Sequence, residues 1–150
     1  MKAGDYLNQL ETGAFVITEH EGRKNIMTIG WGGLVRMWDR EILMVPIRTS
    51  RYTHELLEGS DEFIVAVPPP GEMLDELSFC GSRSGRNIDK LKHCQLTDQG
   101  GLAGCQNYRA RIVLRQPIEE DRLDEAFCNN YYPLRNFHVL YYCEMSKLLE

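Results

Sequence analysis

The chain has 150 residues, enough for one domain with a sizeable core and too few for two ordinary ones. Hydrophobic residues make up 43% and charged residues 26%, a globular composition, and no low-complexity run interrupts it. Twenty-two Asp and Glu against seventeen Lys and Arg give a net charge of −5, which argues against a general nucleic-acid binder but leaves room for a local basic pocket.

No apolar window is long enough to span a bilayer, so no membrane association is expected. The segment Met1-Lys2-Ala3-Gly4-Asp5-Tyr6 has no apolar core of a secretory signal, and the expected location is the cytoplasm. The five cysteines, Cys80, Cys94, Cys105, Cys128 and Cys143, are odd in number and contain no C-x-x-C pair. That spacing disfavours a zinc knuckle or a thioredoxin-type motif, and reduced thiols packed as small hydrophobes are expected instead.

In chain order, the first half reads mainly as strands. Gly13 to Thr18 is a short run rich in aromatic and β-branched residues. The polar stretch Glu19 to Lys24 follows, and its Gly22 is free to take a positive φ in a hairpin turn. Asn25 to Trp31 is the return strand. Glu41 to Arg48 is the next, with Pro46 restricting it to an edge or a bulge. Ser50 is placed to cap a helix through Tyr52 to Glu58 that ends at Gly59. Glu62 to Val67 is a further strand, stopped by Pro68-Pro69-Pro70.

From Gly71 to Gly104 the pattern weakens to a short helix near Glu72 to Phe79, a Gly/Ser/Arg loop, and a helical turn near Asp89 to Lys92. So long a connection inside a compact domain is usually functional. Cys105 to Arg115 alternates, with Tyr108, Ala110, Ile112 and Leu114 on one face. One or two helical turns fit Asp121 to Phe127, and Phe137 to Glu144 alternates as a last strand. Many strands with few short helices point to a closed antiparallel barrel occupying residues 1–150 as a single domain.

Three polar segments carry chemistry. In Asn25-Ile26-Met27-Thr28-Ile29-Gly30-Trp31-Gly32-Gly33 the glycines either bend a barrel corner or admit a ligand close to the backbone. In Ile47-Arg48-Thr49-Ser50-Arg51-Tyr52-Thr53, arginines and hydroxyls gather before a helix, where unpaired N–H groups suit a phosphate; a plain capped helix is the alternative. In Cys80 to Lys90, glycines permit an anion-holding nest beside Arg83, Arg86 and Lys90, or a basic surface loop. That loop lacks the G-K-[ST] ending of a nucleotide-triphosphate loop.

Taken in order, N-x-M-T-x-G-W, R-x-S-R-Y-T and S-G-R-x-x-D-K resemble the flavin reductase-like, FMN-binding split-barrel family that includes the flavoredoxins. The closing strand Phe137 to Glu144 is similar to the family's H-x-x-x-x-G-E ending, and the resemblance runs from about Gly13 to Glu144. It implies a mainly β fold, a six-stranded antiparallel split β-barrel, forming a homodimer with FMN at each end of the interface. It further implies Met27, Thr28, Gly30 and Trp31 against the isoalloxazine. Arg48, Ser50, Arg51 and Thr53 would then hold the phosphate and ribityl end, helped by Ser84, Gly85, Arg86 and Lys90.

The implied activity is that of an FMN-dependent oxidoreductase fed by NAD(P)H or by a redox protein. No side-chain acid or base is required, and no catalytic residue is assigned. A non-catalytic flavin-binding module for storage or sensing is the alternative. His138 matches a position near the flavin in relatives that use a nicotinamide, although a lone His on a strand is more often structural. Two features depart from the family pattern: Cys143 stands where relatives usually carry Gly, and the N-terminal stretch is short.

Overall fold

In a computed structural model that describes residues 1–149, seven antiparallel strands form one sheet in the order β2-β1-β5-β6-β7-β4-β3. The strands are β1 (Ala14–His20), β2 (Arg23–Ile29), β3 (Gly33–Met37), β4 (Arg40–Arg48), β5 (Glu62–Val67), β6 (Gln106–Pro117) and β7 (His138–Lys147). Four short helices accompany them: α1 (Ala3–Leu10), α2 (Tyr52–Glu58), α3 (Leu74–Ser82) and α4 (Glu125–Tyr131).

The sheet is rolled, and its core shows why. Val16 of β1, Met27 and Ile29 of β2, Leu43, Val45 and Ile47 of β4, Phe63 and Val65 of β5, and Tyr141 and Cys143 of β7 all join one buried cluster. Strands β2 and β4 lie five places apart in the sheet, roughly 24 Å if it were flat, at about 4.8 Å per strand. Only a curled sheet brings both to one core. The roll stops short of closure, because β2 and β4 approach each other without pairing. The fold is therefore a split barrel, mainly β, with the split between β2 and β4.

A second cluster covers the outer face of the first strands. Phe15 and Ile17 of β1, Ile26 of β2, and Ile64 and Ala66 of β5 pack there with Leu77 and Cys80 of α3 and with Leu102. Burial on both faces explains the unbroken apolar run of β1, whose residues Ala14 to Thr18 are all buried.

Several expectations need correction. The strand count is seven rather than six, since Gly33–Met37 pairs with Met44–Arg40 across the turn residues Trp38 and Asp39, both of positive φ. Helix α1 was not expected at all. Arg51, not Ser50, is the N-cap of α2, and no side chain caps it, because Ser50 Oγ accepts a hydrogen bond from Asn136 Nδ2 at 3.2 Å instead. The helix placed at Asp121 to Phe127 is a 3-10 turn, Glu120–Arg122, followed by α4, whose N-cap Asp124 accepts from the N–H groups of Ala126 and Phe127. A bulge between Ile112 and Leu114 breaks the alternation of β6, so Leu114 is exposed rather than inward. Strand β4 is interior, yet β3 pairs only as far as Met44, so Pro46 faces an unpaired margin where its missing N–H leaves no ladder bond broken.

Candidate functional site

The split in the barrel is a cleft of about 190 Å³ lined by Met27, Thr28, Ile29, Gly30, Trp31, Pro46, Arg48, Arg51 and His138. Strand β2 is an edge of the sheet, so half of its backbone N–H and C=O groups turn away from β1. Those groups border the cleft beside Thr28 and Gly30. The Thr28 hydroxyl itself donates to the Leu77 carbonyl of α3 at 2.6 Å. That bond ties the first half of α3 to β2.

At one end stands an aromatic and basic group. Trp31 is 47% exposed and lies across the ring of His138, with centroids 5.1 Å apart, and edge-on to Tyr131 at 5.7 Å. The Arg48 guanidinium sits 4.8 Å from the Tyr132 ring centroid and donates to the Tyr131 carbonyl at 3.1 Å and the Asn136 carbonyl at 3.3 Å. Tyr132 Oη and His138 Nδ1 are 2.6 Å apart and both residues are buried. Burial first, then the nearby Arg48 charge, push the His138 pKa down to about 4, so the imidazole is neutral at ordinary pH.

At the other end, cations gather around α2. Arg51 donates one long hydrogen bond, 3.4 Å, to the Gly81 carbonyl, and among the described residues no carboxylate lies within ion-pair distance. Burial and then the Arg86 charge hold its pKa below the ordinary arginine value. Arg86 pairs with Glu55 and donates to the Ser50 carbonyl at 3.0 Å. Lys90 is 2% exposed, its Nζ donating to the Cys80 and Arg83 carbonyls at 3.1 Å each. Burial and then Arg51 push its pKa down to about 8. Of these three cations only Arg86 is ion-paired among the described residues, and their mutual repulsion would be relieved by an anion.

The twelve residues singled out in the sequence divide by place. Met27, Thr28, Gly30, Trp31, Arg48 and Arg51 line the cleft. Thr53 is fully buried, and its hydroxyl accepts from Asn25 Nδ2 at 3.0 Å. Gly85 lies against Asn25 and Tyr52 so closely that a Cβ there would collide with both. Ser84 Oγ accepts from the Arg86 N–H at 3.2 Å, and Ser50 faces Asn136. Ser84, Gly85 and Lys90 fix the loop that carries Arg86, while the Thr53 and Ser50 hydroxyls hold Asn25 and Asn136. Tyr132, Asn136 and Glu55 complete the site and were not foreseen: the first two lie in a stretch without period, and Glu55 reads as an ordinary helix carboxylate. A larger cleft of about 730 Å³ lies between α1 and the Pro68-Pro69-Pro70 turn, and Lys2 is its one basic side chain.

Comparison with known proteins places this architecture. A family model described as flavin reductase like domain matches residues 7–119. An uncharacterized protein of Archaeoglobus fulgidus is 34% identical over 93 residues, 62% of this chain and 50% of that protein, so the chain spans about half the length of this curated relative. Flavoredoxin from Methanosarcina acetivorans superposes with a TM-score of 0.69 at 21% identity, covering 92% of this chain and 68% of its own. The FMN-binding protein from Thermus thermophilus with bound p-hydroxybenzaldehyde gives a TM-score of 0.69 at 24% identity, covering 92% and 71%. With a split barrel, a cleft at the split and a family match over most of its length, this chain belongs to the flavin reductase like domain family.

Proposed function

We propose that the chain binds FMN in the cleft at the split between β2 and β4 and works as an oxidoreductase of the flavin reductase or flavoredoxin type. The observation that carries this reading is Arg51, a half-buried cation without a carboxylate partner among the described residues, set beside Arg86 and Lys90. A phosphate dianion supplies the missing negative charge and accepts charge-assisted hydrogen bonds. The rest of the donor set fits a flat ring, since the free edge of β2 offers backbone groups beside Thr28 and Gly30.

When bound, FMN would supply the redox chemistry, taking electrons from NAD(P)H or a redox protein and passing them to an acceptor. Arg51 and Arg86 would hold the phosphate end, with Lys90 and Gly85 keeping the loop that carries Arg86 in place and Thr53 fixing Asn25 against Gly85. Trp31 forms an apolar margin that excludes water, and Arg48, stacked on Tyr132, keeps a positive charge near the neutral His138. The proposed assembly is a homodimer, since the cleft alone is smaller than the roughly 300 Å³ at which ligand sites begin. A cytoplasmic location accords with reduced thiols, and no described helix is long and apolar enough to cross a membrane.

Titration of the purified protein with FMN, followed by visible absorption, tests the reading: it predicts one FMN per chain at micromolar concentration, and no binding there overturns it. NAD(P)H oxidation with added FMN separates an oxidoreductase from a storage module, which shows none.

A further inference from the structure

Helix α3 ends beside the flavin cleft, and its outer side opens on a second, separate cleft. This one, about 180 Å³, is lined by Asp75, Glu76, Phe79, Cys80, His93 and Cys94. Cys80 lies fully buried at the end of α3, and Cys94 follows the 3-10 turn Lys90–His93 with its side chain partly exposed. Lys90 draws the two together: its Nζ donates to the Cys80 carbonyl at 3.1 Å, and the Cys94 thiol donates to the Lys90 carbonyl at 3.4 Å. Both cysteines pack in the same apolar cluster. Neither takes part in the proposed flavin site.

The two side chains share one cleft and one apolar cluster, and each acts on the other's titration, holding Cys94 below the usual thiol range and raising Cys80 above it. The Lys90 charge acts in the same downward sense on Cys94. Thiolate character therefore falls on the more exposed sulfur, the arrangement that thiol–disulfide exchange requires of an attacking group.

We propose that Cys80 and Cys94 form a redox-active dithiol that exchanges with a small aliphatic disulfide entering through this cleft. The Cys94 thiolate attacks one sulfur of the incoming disulfide, forming a mixed disulfide and releasing one thiolate. Cys80 then gives up its proton and attacks Cys94 Sγ, breaking the mixed disulfide and releasing the second thiolate. Two protein thiols are oxidised, one external disulfide is reduced to two thiols, and two protons leave Cys94 and Cys80 for the released sulfurs. A cleft of this size has room for a small disulfide beside Cys94. The new link joins the two ends of the segment that carries Ser84, Gly85, Arg86 and Lys90.

The test uses the intact chain and hydroxyethyl disulfide as oxidant, and it does not depend on flavin. Thiol titration after denaturation should fall from five free thiols to three, and dithiothreitol should restore five. Peptide mapping should find Cys80 linked to Cys94. Cys80→Ser should instead trap one mercaptoethanol adduct on Cys94, while Cys128→Ser should still lose two thiols. Five thiols retained by the wild-type chain, a link between other cysteines, or an adduct on another residue in Cys80→Ser would each overturn the proposal. Loss of the wild-type link cannot be confused with a folding defect, because no residue is changed. FMN titration of the same sample reports separately on the flavin reading.

Discussion

In the proposed site, Arg51 is the residue that would distinguish the phosphate from the ring. Riboflavin shares the isoalloxazine of FMN and lacks its phosphate, so Arg51→Ala should weaken FMN far more than riboflavin. A charge-assisted hydrogen bond is worth roughly 1.5–3 kcal/mol, or about ten- to a hundredfold in affinity. Calorimetric titration with both ligands measures the difference, and equal weakening of the two would remove Arg51 from the phosphate site. His138 carries a different signature. Its folded pKa, about 4, lies below the ordinary 6.5, so between these values the unfolded chain holds the extra proton. Stability is therefore full above about pH 6.5 and is lost as pH falls towards 4, by at most about 3 kcal/mol. Chemical denaturation across that window should show a flatter pH dependence in His138→Gln than in the wild type. Arg51 and the Met27 to Trp31 strand could be singled out because each lies in a contiguous motif, R-x-S-R-Y-T or N-x-M-T-x-G-W, and both segments line the cleft. Tyr132 and Asn136 were not, because only the β4–β7 pairing, with Arg48 opposite His138, brings their segment to Arg48.

Among the elements, the loop after α3 is the one whose fit the site depends on. A methyl group at Gly85 would collide with the Asn25 carboxamide and the Tyr52 ring. Gly85→Ala should therefore push the loop from α2, draw Arg86 away from Glu55 and the Ser50 carbonyl, and cost about 1–3 kcal/mol. FMN affinity should fall with it. Gly4→Ala provides the control: a Cβ there meets nothing within 4 Å, so the change should stabilise α1 by up to about 1 kcal/mol and leave FMN binding unaltered. Thermal unfolding and FMN titration of the two variants check both statements, and an unchanged affinity in Gly85→Ala would detach the loop from the site. The elements read well in sequence were those with a strong period or firm stops, such as β1, β5 and α2. Strand β3 escaped because Gly32 and Gly33 precede a run of only four side chains, and its hairpin turn uses Trp38 and Asp39 without the glycine that marks such turns. Helix α1 escaped because eight residues with Gly4 among them give a short amphipathic signal, carried by Tyr6, Gln9 and Leu10 alone.

For the whole molecule, the split barrel leaves two things exposed. The proposed flavin cleft is open to solvent, and the edge strand β3 with its turn presents Val35, Met37 and Trp38, each more than a third exposed. An uncovered apolar edge strand invites pairing or packing against another chain. A second copy of this chain, as proposed, would meet both needs by covering that edge and closing the remaining face of the ring. Stable interfaces bury roughly 800 Å² per partner, about a tenth of the 8598 Å² surface of this chain. Sedimentation should therefore report twice the 17.3 kDa chain mass at micromolar concentration. Replacing Met37 and Trp38 together by Glu introduces charge into that surface and should shift the mass towards 17.3 kDa. Both side chains are already solvent-accessible in the single chain, so the fold itself should survive, with an unchanged circular dichroism spectrum. If the second copy completes the cleft, FMN affinity falls in parallel with the dimer. A double variant that becomes monomeric yet binds FMN as tightly as the wild type would show that one chain suffices for the site. A wild-type chain sedimenting at 17.3 kDa with FMN present would rule the dimer out.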